Sequence, residues 1–90
     1  MTKREAIREC KRLWKEIVGS GLGKRKFLWE TNEGKKWLDK GYDSECPLCE
    51  YDNAGCDDCP LHLQYGESCT SLGYSRNPKT FYEYVKGLKE

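Results

Sequence analysis

The sequence has no apolar run approaching the roughly 18 residues that a membrane span requires. Its beginning, Met1-Thr-Lys-Arg-Glu5, also lacks the apolar stretch of a signal peptide. Both absences point to a cytoplasmic chain. There is a single histidine, His62. One histidine allows a Cys–His dyad in principle, yet no second base or carboxylate is patterned to orient the imidazole. Between residues 41 and 70 there is neither Lys nor Arg. Phosphate-seeking zinc fingers usually show the reverse, so nucleic acid would have to meet another part of the chain. The βαβ context of a thioredoxin-type C-x-x-C is missing as well.

What the chain has in quantity is cysteine. Five of its six cysteines fall within the 24 residues 46–69, as Cys46-Pro-Leu-Cys49, Cys56-Asp-Asp-Cys59-Pro and Cys69. Two C-x2-C pairs are what a tetrahedral thiolate site requires, since each pair folds into a knuckle offering two sulfurs at about 2.3 Å from one zinc ion. Pro47 and Pro60 suit rigid turns of this kind because they fix φ without needing a hydrogen bond. The Asp52-Asn53-Ala54-Gly55 turn can bring the second pair back to the first. In a reducing cytoplasm thiols persist as metal ligands rather than disulfides, so location and spacing agree. Iron–sulfur ligation is echoed by Cys59-Pro60, but the compact bacterial and plant-type spacings are both absent.

Five cysteines compete for four places. Cys46, Cys49 and Cys59 are expected at the zinc; Cys56 completes the set by pairwise logic, and Cys69 completes it by a wider loop closure. His62 is a substitute ligand in principle, and its plainer reading is an ordinary surface residue. Four thiolates close the coordination shell, whereas a catalytic zinc keeps a position open, so the site is expected to be structural. The size of the chain favours such a staple. With 90 residues, 37% of them hydrophobic and 34% charged, the chain is polar for a self-sufficient core, and a domain of this size buries only about 60 to 65% of its unfolded surface.

Charge divides the chain. Residues 1–40 hold 12 Lys and Arg against 6 Asp and Glu, residues 41–70 hold none against 7, and residues 71–90 hold 4 against 2. Four thiolates around a divalent ion would add a further net charge of about −2 to the middle segment. A mixed protein-binding surface fits this asymmetry.

From Thr2 to Val18 the apolar residues Ala6, Ile7, Cys10, Leu13, Trp14, Ile17 and Val18 recur with the rhythm of an amphipathic helix. Thr2 and Glu5 form a capping box, and Gly19 is the expected left-handed terminator. Cys10 lies on the buried face as a small core residue. Arg4, Arg8, Lys11 and Lys15 form a basic stripe beside that face, which could touch nucleic acid or simply be solvated, with pairs such as Glu9–Arg12 and Arg12–Glu16. Gly19-Ser-Gly-Leu-Gly23-Lys24 departs from the phosphate-binding P-loop, since Val18 and Arg25 occupy two of its required positions, and reads as a turn. Residues 24–31 and 33–40 predict two short helices separated by Asn32 and Gly34, with Phe27, Leu28, Trp37 and Leu38 as anchors and Gly41 as the stop. Residues 41–76 predict irregular loops with room for a short hairpin. Asn77-Pro78 begins a last helix carrying Phe81, Tyr84, Val85 and Leu88 and ending near Gly87.

The run Glu45-Cys-Pro-Leu-Cys-Glu-Tyr51, then Cys56-x-x-Cys59-Pro-Leu61, Cys69 and Phe81-Tyr82-Glu-Tyr84, preceded by Gly34-Lys-Lys-Trp37-Leu-x-x-Gly41-Tyr42, resembles small cysteine-rich proteins encoded by tailed bacteriophages. The resemblance implies a metal-binding role for Cys46, Cys49, Cys59 and Cys69, with Cys56 also matching, and implies no catalytic residue. Together these readings give a single mainly α domain over residues 1–90. Helices occupy 1–40, a zinc-stapled loop segment fills 41–76, and a helix over 77–88 packs back on the first. The function expected is that of a non-enzymatic zinc-binding adaptor for a host or phage protein. The alternative is a nucleic-acid-binding module using the basic half.

Overall fold

The computed structural model describes residues 2–41, 47–52, 59–67, 71–73 and 76–89, with the backbone alone at 49, 50 and 52. The helices are α1 (Lys3–Ser20), α2 (Lys24–Glu30), α3 (Asn32–Asp39), α4 (Pro47–Asp52), α5 (Pro60–Tyr65) and α6 (Pro78–Lys86). No strand occurs among the described residues.

The apolar rhythm of the first helix becomes the centre of the molecule. Ala6, Ile7, Cys10, Leu13, Trp14 and Ile17 are all buried, and each large side chain among them contributes about 1.5–3 kcal/mol by leaving water. Thr2 caps α1 as expected, its Oγ1 accepting the Glu5 N–H at 3.1 Å and donating to the Glu5 carboxylate at 3.3 Å. The other end runs further than the expected stop. Gly19 is helical, and Gly21 takes the left-handed conformation (φ 75°) that terminates the helix, its N–H bonded to the Val18 carbonyl. Ser20 explains the two extra residues. Its hydroxyl donates to the Ile17 carbonyl at 2.6 Å and accepts the Leu22 N–H at 3.1 Å, so polar groups at the helix end are satisfied two residues later than the first glycine would allow.

α2 and α3 meet at a tight corner made by Thr31. Its hydroxyl donates to the Phe27 carbonyl at 2.6 Å, closing α2, and accepts the Gly34 N–H at 2.9 Å, capping α3. Gly34, expected between the helices, is buried inside α3. Only glycine fits there, because a Cβ would overlap the Phe27 carbonyl and stand 2.6 Å from the Leu28 Cα. Phe27, Leu28 and Trp37 are buried as anticipated and Leu38 is half-buried. Gly41 (φ 67°) follows α3 in the left-handed conformation.

Trp37 carries α3 to α1. Its Nε1–H donates to Glu16 at 3.1 Å, Lys40 Nζ lies 4.3 Å from its ring centroid and Arg12 lies 5.6 Å away. Glu9 accepts from Arg12 at 3.3 Å and Lys40 at 3.4 Å. These exposed pairs are worth about 0–1 kcal/mol each, and set register more than stability.

The segment 41–76 departs from expectation in containing helices. Pro47 and Pro60 each occupy the first helical position, where a missing N–H costs nothing, and the leucine after each is buried, Leu48 at 1% and Leu61 at 2% exposure. α4 packs on α1. α6 also packs on α1. Asn77 caps it by accepting the Thr80 N–H at 3.3 Å, Phe81, Val85 and Leu88 are buried, and the Phe81 ring tilts at 58° against Trp14 with centroids 4.5 Å apart.

Candidate metal centre

Of the five cysteines expected at a zinc ion, Cys46, Cys56 and Cys69 lie outside the described residues, as does the turn through Asn53, Ala54 and Gly55. Cys49 is the third residue of α4. Cys59 is half-buried and forms the N-cap position of α5 with extended backbone (φ −66°, ψ 127°). Among the described residues no three Cys, His, Asp or Glu side chains converge to hold an ion. Cys10 is wholly buried in the apolar core, as its place on α1 predicted.

The two described pieces of the cysteine segment are both fastened to the helical body. α4 packs on α1, with Leu48 buried in the core cluster. α5 is fastened to α6 by polar contacts. Tyr65 Oη donates to the Tyr84 carbonyl at 2.7 Å, with the two rings edge-on at 5.1 Å. Gln64 Nε2 donates to the Gly87 carbonyl at 2.7 Å, and its Oε1 accepts the Lys89 N–H at 2.9 Å. Gly87 itself leaves room for this arrangement, since a Cβ there would stand 2.6 Å from Tyr65 Oη. The backbones of the first turns of α4 and α5 are therefore held on the same core through Leu48 and Leu61.

His62 differs from the plain surface residue expected. It is the third residue of α5 and half-buried, and its Nδ1 is buried with no hydrogen-bond partner among the described residues. A buried polar atom left in that state costs about 1–3 kcal/mol. The signal that marks this residue is present in the sequence, since Cys59-Pro-Leu-His62 repeats Cys46-Pro-Leu-Cys49 residue for residue until the last.

The basic stripe is only partly a surface feature. Arg4, Arg8 and Lys15 are exposed, whereas Lys11 is half-buried and donates from Nζ to the Leu88 carbonyl at 3.0 Å. Its charge serves the join between α1 and the end of α6. No helix among the described residues is long and apolar enough to cross a membrane.

Among the described residues, fold and site define a small, mainly helical protein in which α4 and α5, two short helices of the cysteine-rich stretch, pack on the helical core. Comparison with protein-family models, with curated proteins and with solved structures finds no match to this chain.

Proposed function

We propose that this chain is a non-enzymatic zinc-binding protein that acts as an adaptor, its metal holding a helical surface in shape for a host or phage protein in the cytoplasm. Cys46, Cys49 and Cys59 are three of the ligands the reading assigns to zinc, with the fourth drawn from Cys56, Cys69 and His62, and a filled shell leaves no position for a reacting water. The phage origin rests on the resemblance of the cysteine run and its flanking aromatics. The adaptor reading is carried by Trp29. Trp14 and Trp37 are buried, yet Trp29 on α2 is 56% exposed. Tryptophan is enriched among the anchor residues of protein interfaces, and where such an anchor is a hot spot its truncation costs about 2 kcal/mol or more of binding, on the order of a 30-fold loss. The nucleic-acid reading is supported less well, because Lys11 of the basic stripe is already engaged by Leu88.

The test is capture of a stoichiometric partner from bacterial lysate by the zinc-loaded protein, repeated with Trp29→Ala and after chelation. The expected result is one partner, lost in both repeats while Trp29→Ala retains its fold and zinc. A partner captured equally well by the Trp29→Ala variant, or no partner in repeated attempts, would remove the reading.

A further inference from the structure

We propose that His62 is a zinc ligand, paired with Cys59 as Cys49 is paired with Cys46, so that the site is Cys46, Cys49, Cys59 and His62. This rests on the zinc reading above and names its ligand set.

The first support is a repeat. Residues 46–49 read Cys-Pro-Leu-Cys and residues 59–62 read Cys-Pro-Leu-His, each position 13 residues after its counterpart. The second is that the repeat is structural as well. α4 begins at Pro47 and α5 at Pro60, both six residues long, with Leu48 and Leu61 both buried, so the leucines of the two motifs play the same packing role. Cys49 and His62 then occupy the same place, the third residue of their helices. The third helical residue and the one capping the helix are neighbours in space, the relation on which a capping box depends. Cys59 and His62 thus stand on one side of the first turn of α5, as a two-ligand knuckle requires.

The third support is the ring itself. His62 Nδ1 is buried and has no hydrogen-bond partner among the described residues, while Gln64 and Tyr65 in the same helix are held by α6. The imidazole is therefore carried on a fixed element with one nitrogen withdrawn from water and without a partner among the described residues. Coordination supplies what that atom lacks, and Cys3His is an established class of structural zinc site. Electrostatics favours the same set. Three thiolates and a neutral imidazole leave zinc with net charge about −1 rather than −2, in a segment that holds 7 carboxylates and neither Lys nor Arg. Cys56 and Cys69 are then outside the coordination shell.

The experiment loads the full chain with cadmium-113 and records coupling between the metal and protein protons by NMR, which identifies each ligand without altering any. Metal content and competition with a chromophoric chelator are then measured for His62→Ala, His62→Cys, Cys56→Ser and Cys69→Ser. Coupling is expected to the β-protons of three cysteines and to the His62 ring. His62→Ala should weaken zinc by more than the about 10- to 100-fold that loss of an outer-shell partner costs. His62→Cys should keep one ion per chain, with stronger thiolate-to-metal absorption when loaded with cobalt, and both Cys→Ser variants should bind as the parent does. Coupling to four cysteines and none to His62, or a His62→Ala protein that holds zinc undiminished, would overturn the assignment while leaving the zinc reading intact. A chain that takes up no zinc, cadmium or cobalt would overturn both.

Discussion

At Gly34 and Gly19 the same substitution should have opposite signs. A methyl group at Gly34 would land on the Phe27 carbonyl and on the Leu28 Cα, backbone atoms that cannot swing aside. Gly34→Ala is expected to destabilise the protein by about 1–3 kcal/mol or more, read as a lower urea midpoint at constant slope. Gly19 is helical, and a methyl group there would meet no atom within 4 Å. Gly19→Ala should therefore stabilise by about 0.5–1 kcal/mol, through the smaller conformational freedom lost on folding. Equal effects at the two positions would contradict the corner geometry. In the core, Trp14→Ala should cost about 3–5 kcal/mol, since the indole is 1% exposed and packs on Phe81. Sequence alone places Trp14 and Cys10 inside because their spacing follows the helical period. It cannot place Lys11, whose spacing is that of a solvated residue; only the arrival of the Leu88 carbonyl from 77 residues away takes it out of the basic stripe.

Among the elements, α1 and α6 are legible because each repeats an apolar face over more than two turns and begins with a recognisable cap, Thr2 or Asn77. α4 and α5 are not. Six residues are too few for a period to emerge, helices so short do not persist alone, and their sequence is dominated by cysteines, prolines and neighbouring turn formers. Their helicity comes from Pro47 and Pro60 setting the first turn and from Leu48 and Leu61 finding the core. The end of α1 falls two residues beyond its expected place for a related reason. Two glycines compete there, and the choice is made by the two hydrogen bonds of Ser20. Of the candidate site, the cysteine spacing is legible directly, while His62 is hidden beside so many sulfurs and emerges only as the last member of a repeated four-residue unit. At this scale the caps are testable: Thr2→Ala should cost about 1 kcal/mol of stability, recovered in large part by Thr2→Ser, whose hydroxyl can accept the Glu5 N–H.

For the whole molecule, the staple should dominate stability. If zinc joins the segments around α4 and α5, removing it with a strong chelator should lower the melting temperature substantially, since structural zinc contributes on the order of 10 kcal/mol in small peptides. Cys46→Ser should do the same, whereas Cys10→Ser should weaken the core without releasing the ion, because Cys10 lies among Ile7, Leu13 and Trp14 on the buried face of α1. A melting curve indifferent to chelation would refute the stapled design. The charge division offers a separate check. A nucleic-acid module would show binding that falls steeply with salt and with Arg8→Glu; the expected outcome is neither, with partner capture depending on Trp29.

The double hydrogen bond of Gln64 has one more consequence. Because a single side-chain amide holds both the Gly87 carbonyl and the Lys89 N–H, the stretch after α6 borrows its order from a helix whose first turn carries Cys59 and His62. Deuterium uptake at the Lys89 amide thus becomes a remote gauge of whether the ion is in place: slow in the loaded protein, and quick once the ion is stripped away, long before the Trp14 indole meets water.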